Sequence, residues 1–284
     1  MLDVCVVGSA NLDLVAFTDA LPRPGQTVLG SGFAEHPGGK GLNQAIASAR
    51  AGARTAFVGA VGDDDAGRRL RAELQAAGVD VSATMSVDAP TGRALIAVDA
   101  AGENSIVVVP GANGLLTVSA LPPSRVVLVQ LEIPLAAVVA ALDLARRSSS
   151  ITILNPAPAP PGDLDIALAA DYVVPNESEA ASLGGVDALL AAGSGVVIIT
   201  EGATGGRVAT TDGEWRQAPF PVEPVDTTGA GDAFCGALAA RFARGDDLAA
   251  SVRYAAAAGA LATTRHGAVP ALPSAATIEA LLSA

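Results

Sequence analysis

Short runs of β-branched residues alternate with amphipathic, alanine-rich segments along almost the whole chain, and this rhythm limits the fold more than any other feature. A strand covered on both faces needs a continuous apolar run, whereas a helix lying on a sheet needs one apolar stripe. Residues 4–8 read as the first such strand. Leu42, Ala45, Ile46 and Ala49 then recur at helical spacing, and Gly52 ends that helix. A strand over 55–61 and a helix over 63–77 follow. Further strands are expected at 126–131, 151–154, 172–174 and 196–200, with a helix over 134–147. Two long alanine-rich helices, 230–243 and 248–264, and a short one from Ser274 close the chain. Such alternation predicts an α/β fold, a doubly wound, mostly parallel sheet flanked by helices. At 284 residues one domain, 1–284, can hold the core. Ligands of such sheets lie beyond the carboxyl ends of the strands.

Two stretches break the rhythm. Residues 12–27 carry no helical pattern, and 91–110 read as two strands joined by Asp99-Ala-Ala-Gly-Glu-Asn, a hairpin signal. A small β-sheet lid made of inserts at about 12–33 and 91–111 accounts for both, and would exclude water from a transfer reaction. An ordinary edge extension is the alternative. A lid with one apolar face would pair with a second copy, so a homodimer is expected. The formal charge of −12 argues against nucleic acid or an anionic membrane as partner. No apolar run approaches the ~20 residues that span a bilayer. Cys5 and Cys235 sit in apolar segments at no metal-binding spacing, and the first residues form no basic leader, so a cytoplasmic protein with buried free thiols is expected.

Residues 226–237 read Asp-Thr-Thr-Gly-Ala-Gly-Asp-Ala-Phe-Cys-Gly-Ala. Asp226 and Asp232 bracket the turn Gly229, Ala230, Gly231, which opens an apolar helix. A glycine turn and a helix start both leave N–H groups free, and the helix dipole favours an anion there. A carboxylate beside an anion site is better placed to accept a proton than to bind the anion, which suggests phosphoryl transfer to a hydroxyl. A mere helix cap is the alternative. Asn11 and Asp13, two apart after the first strand, would face one way in extended chain and could bind neighbouring hydroxyls of a polyol, or form an Asx turn. Gly38-Gly39-Lys40-Gly41-Leu42-Asn43-Gln44 lacks P-loop spacing, yet its glycines allow close approach at a helix start. Lys40 is the single lysine of the chain. Glu132 ends a buried strand. Asn176 and Glu179, three apart, could organise Mg²⁺ or form a capping box. Residues 200–206 form a glycine-rich turn that could cover a nucleotide.

Taken together these motifs resemble the phosphofructokinase-B family of ribokinase-like sugar kinases over nearly the whole chain. The resemblance rests on the 38–44 and 226–232 segments. It extends to Leu154-Asn155-Pro156-Ala157-Pro158-Ala159, to Pro175-Asn176-Glu177-Ser178-Glu179-Ala180 and to Thr264-Arg265-His266-Gly267-Ala268. It implies an ATP-dependent kinase acting on the primary hydroxyl of a free pentose, ribose first. The alternatives are deoxyribose, fructose or adenosine as substrate, or a non-catalytic sugar-binding regulator. Asp232 would be the base, and the N–H groups of Gly229, Ala230 and Gly231 the anion hole. Asn11, Asp13, Gly39, Lys40, Asn43 and Glu132 would hold the sugar. Thr200, Glu201, Gly202, Ala203, Thr204 and Gly205 would line ATP, with Gly231 and Ala256, while Asn176 and Glu179 would organise Mg²⁺. A monovalent cation, K⁺, would sit between Asp226 and the carbonyls near Thr228, Ala262, Arg265, Gly267 and Ala271. The chain departs from the family pattern in a short segment between Glu179 and Val196. It departs again at Ala256, where a polar residue often stands near the adenine.

Overall fold

The computed structural model describes residues 1–159 and 170–284. The chain runs from β1 (Leu2–Val7) into β2 (Asn11–Thr18) and β3 (Gly30–Gly38), then α1 (Lys40–Arg50), β4 (Thr55–Val58), β5 (Ala60–Gly62) and α2 (Asp65–Ala76). Next come β6 (Met85–Val87), β7 (Gly92–Val98), β8 (Asn104–Val109) and a 3-10 turn at Gly111–Leu115. β9 (Ser124–Gln130), α3 (Leu135–Arg147), β10 (Ile151–Asn155) and β11 (Tyr172–Val173) lead to two short helices, α4 (Glu177–Ser182) and α5 (Gly185–Ala191). β12 (Val196–Thr200), β13 (Gly206–Thr210) and β14 (Gly213–Gln217) precede α6 (Ala230–Arg244), α7 (Leu248–Ala262), α8 (Ala268–Ala271) and α9 (Ala275–Ser283).

The main sheet has eight strands in the order β14-β13-β12-β11-β10-β9-β1-β4. From β12 to β4 every pairing is parallel, and β13 and β14 add an antiparallel edge. Chain order reverses between β1 and β9, because β1 leads out to β4 on one side and the chain returns to β9 on the other. Such a switch point splays the loops at the strands' carboxyl ends and opens a crevice. Successive side chains of β1 feed two separate cores. Val4 and Val6 pack with Leu42, Ile46, Leu238 and Tyr254 under α1, α6 and α7. Cys5 and Val7 pack with Val129, Val138 and Leu142 under α3. Both cysteines are buried and unbonded, and burial pushes the Cys5 thiol up to about 12, so it stays unreactive.

A second sheet, β3-β2-β7-β8, stands apart from the first. β2 pairs antiparallel with β3 and parallel with β7, and β7 pairs antiparallel with β8. The expected turn closes β7 and β8, with the Asp99 carboxylate accepting from the N–H groups of Ala101 and Glu103.

Several boundaries differ from expectation. The run 55–61 is two strands, since β5 leaves the main sheet to pair with β6; one apolar run can serve two sheets, so hydropathy alone hides the break. β3 reaches Gly38, beyond the expected 33, and carries the second sheet to the start of α1. α2 begins at Asp65 because Asp64 caps it, accepting from Gly67 N–H at 2.8 Å. The hairpin β13–β14 was not anticipated; its mixed polar residues give only weak alternation. Between Glu179 and Val196 the chain forms two short helices, interrupted at Gly184 and Gly185. No helix among the described residues is long and apolar enough to cross a membrane.

Candidate active site

The crevice at the switch point gathers residues from β2, α1, α4, α6 and the end of β9. Asn11 is buried at the start of β2, and its Oδ1 accepts from Asn113 Nδ2 at 2.7 Å. Asn113 also clasps both backbone groups of Ala10. The sequence pattern did not single out Asn113; its local signal is an Asn-Gly pair just past a strand. Asp13 lies on the same face of β2. Burial, then the charges of Glu132 and Asp232, push its acid up to about 7. Glu132 accepts from the Lys40 N–H at 3.0 Å and from Ser9 Oγ, so it caps α1, whose own residue Gly39 offers no side-chain cap. The half-buried Lys40 ammonium is disfavoured by burial, yet the carboxylates of Asp232, Glu132 and Glu179 outweigh that and raise its pKa. One lysine therefore faces three carboxylates.

Asp232 occupies the first turn of α6 and is 7% exposed. Its Oδ2 accepts from Asn43 Nδ2 and its Oδ1 from Gln44 Nε2, both at 2.9 Å. Burial raises its pKa, while Lys40, Asn43 and Gln44 pull the other way. Gly229 precedes the helix with φ 79°, and a Cβ there would stand 3.0 Å from Cα and Cβ of Ala268. Only glycine adopts that backbone freely and fits that gap. The N–H groups of Gly229, Gly231 and Asp232 meet no acceptor among the described residues, whereas Ala230 N–H donates to Thr227 O. The turn thus presents unpaired donors at a helix N-terminus.

On the far side of this turn lies a cavity of about 520 Å³. Thr200, Gly202, Ala203 and Gly205 line one wall, Ala256 and Phe234 another, and Ala230 with Gly231 closes the end. Two residues expected on this wall do not line it. Glu201 turns away to pair with Arg216 and with Arg207, and Thr204 Oγ1 donates to Glu201 O. A buried carboxylate is held by the nearest guanidinium groups, and these belong to β13 and β14, the hairpin the sequence did not reveal.

Asn176 and Glu179 form a complete capping box: Asn176 Oδ1 accepts from Glu179 N–H, and Glu179 Oε2 from Asn176 N–H, both at 2.8 Å. Glu179 still feels the site. Burial raises its pKa, while the Asn176 N–H and Lys40 lower it and Asp232 raises it further.

Asp226 ties two segments together, accepting from Thr228 N–H at 2.9 Å and from Gly267 N–H at 2.8 Å. Burial would raise its acid, but those bonds prevail and lower it. Thr263 O accepts from the N–H groups of Val225 and Asp226. The carbonyls of Thr228, Ala262, Arg265 and Gly267 receive no N–H among the described residues. Ala271 closes α8 just beyond. Unpaired carbonyls beside a carboxylate suit a hard cation. No cluster of three or more acidic, histidine or cysteine side chains of metal-binding type occurs among the described residues.

A family model described as pfkB family carbohydrate kinase matches residues 1–275. The ribokinase of Bacillus subtilis is 40% identical over 293 aligned residues, covering 100% of both chains. The crystal structure of a Thermotoga maritima ribokinase superposes with a TM-score of 0.92, at 33% identity and 100% coverage of both. An Arabidopsis thaliana ribokinase complexed with ribose and ATP gives a TM-score of 0.89 at 29% identity, covering 99% of this chain and 98% of that one.

Proposed function

The chain belongs to the pfkB family of carbohydrate kinases and is an ATP-dependent sugar kinase, and we propose that its substrate is a free pentose, D-ribose first, phosphorylated on the primary hydroxyl. One observation carries this reading: Asp232 stands between a polar cluster suited to an uncharged polyol and an apolar cavity that ends on an unpaired N–H turn. Asn11, Asp13, Lys40, Asn43 and Glu132 supply donors and acceptors for sugar hydroxyls. Glu132 and Gly39 also set the start of α1 from which Lys40 and Asn43 project.

ATP would lie in the cavity, its base against the wall that includes Ala256, and its terminal phosphate at residues 229–231. Asp232 takes the hydroxyl proton as that oxygen attacks the γ-phosphorus; the bond to the bridging oxygen breaks, and ADP leaves. The N–H groups of Gly229 and Gly231 meet charge that grows on the transferring group. Positioning and fixed dipoles supply most of the rate in such a transfer. Mg²⁺, when bound to the nucleotide, would neutralise phosphate charge; Glu179, held by Asn176, would orient its waters. K⁺ would be held by Asp226 and the carbonyls of Thr228, Ala262, Arg265, Gly267 and Ala271, where it would stiffen the turn. The second sheet is assigned as the lid and as the contact with a second copy. Unpaired buried thiols suit a reducing compartment, the cytoplasm.

The decisive experiment is ATP consumption over ribose, deoxyribose, fructose and adenosine, with and without K⁺. The highest kcat/KM is expected for ribose, with activation by K⁺ over Na⁺. A higher value for adenosine or fructose overturns the substrate, and indifference to the cation overturns the ion site. Asp232→Asn should keep the fold and sugar binding while turnover falls by ~10²–10⁴; near-normal turnover removes Asp232 as the base.

A further inference from the structure

Gln44 is fully buried in α1, beside the sugar-facing Asn43. Its amide nitrogen donates to Asp232 Oδ1 at 2.9 Å and to Asn155 Oδ1 at 3.0 Å, which uses both hydrogens. Its Oε1 accepts from Gln130 Nε2. Asn155 is fixed in turn, since its Nδ2 donates to Val174 O at 2.8 Å. Turned over, the Gln44 amide would set an oxygen against the Asp232 carboxylate and a nitrogen against the Gln130 nitrogen. Asp232, Asn155 and Gln130 together therefore leave it one orientation. Gln130 fits at the end of β9 because residue 8 is glycine: a Cβ there would stand 1.9 Å from Gln130 Oε1.

We infer that Gln44, oriented by Gln130 and Asn155, is a positioning residue that fixes the Asp232 carboxylate and donates to its charged form. It does so without touching either substrate. The inference rests on the reading of Asp232 as the base. Several charges face Asp232. Lys40 on α1 favours the anion, and Glu132 beyond β9 opposes it. Asp13 on β2 and Glu179 on α4 oppose it too, and Cys235, buried on α6, is held neutral. With one ammonium against three other carboxylates and deep burial, a base that must be ionised to work depends on its neutral donors. Asn43 serves Oδ2 and also faces the sugar; Gln44 serves Oδ1 alone.

The test is Gln44→Leu, assayed as kcat and sugar KM across pH. A hydrogen bond to a charged group, once lost, should lower kcat on the order of ten- to hundredfold. The acid limb of kcat should move up by roughly one pH unit. Sugar KM should change little, since Asn43 and Lys40 remain. Gln130→Leu spares the Asp232 donor and frees the Gln44 amide, so it should shift both readouts the same way but less; it also serves if Gln44→Leu does not fold. A folded variant with the wild-type acid limb, or with a change in KM alone, overturns the inference. An inactive Asp232→Asn beside an unaffected Gln44→Leu overturns the positioning role alone. An active Asp232→Asn overturns both the role and the base.

Discussion

Asp13 shows how far distant neighbours can move a side chain from its ordinary chemistry. Burial leads, and the Glu132 and Asp232 carboxylates add to it, so the acid titrates at about 7. Between the ordinary value of about 4 and that point, the folded chain holds a proton that the unfolded chain has released. Stability must then fall as pH rises through this window, and the loss is complete above it. Asp13→Asn carries no such charge. Without sugar, its thermal midpoint should exceed that of wild type by more at about pH 8 than at about pH 5. Equal differences at the two pH values would mean that Asp13 is ionised and unstrained in the folded chain. Glu201 and Glu179 teach a related lesson. Each is a carboxylate next to a glycine-rich or capping motif, yet Glu201 is claimed by arginines while Glu179 stays near Lys40.

At the scale of elements, the start of α6 matters most. Its first turn carries the candidate base, and its N-terminal donors lie open because no side chain caps it. By contrast α2, α4, α7 and α9 are each capped by an Asp, Asn or Ser. A helix that serves an anion must leave its donors unpaired, but an open start alone does not mark one, since α3, α5 and α8 also lack a side-chain cap. Gly229→Ala therefore has two separable effects. The left-handed backbone costs about 1–2 kcal/mol, which is read as a lower denaturant midpoint. Re-aiming the N–H groups should cost turnover by roughly 10²–10³. A stable variant of unchanged kcat would show that the turn is a connection and not an anion hole.

Across the whole molecule, the second sheet sets one face toward the site and leaves apolar side chains exposed on the other, although Leu12 there is buried. Strand pairing puts Leu95 beside Val107, and Arg93 beside Val109, on the face opposite Asn11 and Asp13. Leu95, Val107 and Val109 are about half exposed, and Phe33 is 65% exposed. β8 is also an open edge with all six residues exposed. An apolar, unprotected edge strand invites a partner, and a second copy is the one proposed here. Sedimentation should give twice the chain mass, and Leu95→Lys with Val107→Lys should halve it. A wild-type chain that sediments as a monomer at micromolar concentration would refute the contact.

Sequence periodicity alone determined the α/β class, the parallel centre of the sheet and most helices, because side-chain burial has a fixed period in strands and helices. The two glycine motifs and their carboxylates were equally legible, since close backbone approach demands glycine wherever it occurs. Only the tertiary structure decided which groups each polar residue meets. It turned Glu201 onto the β13–β14 hairpin, closed Asn176 and Glu179 into a cap, and brought Asn113, Gln130 and Asn155 to bear on Asn11, Gln44 and Asp232. An amide has no periodicity and no preferred partner in sequence. What it does is fixed by the groups within about 3 Å of it, and at a switch point those groups arrive from segments far apart in the chain, as Asn113 does from its 3-10 turn to Asn11 on β2.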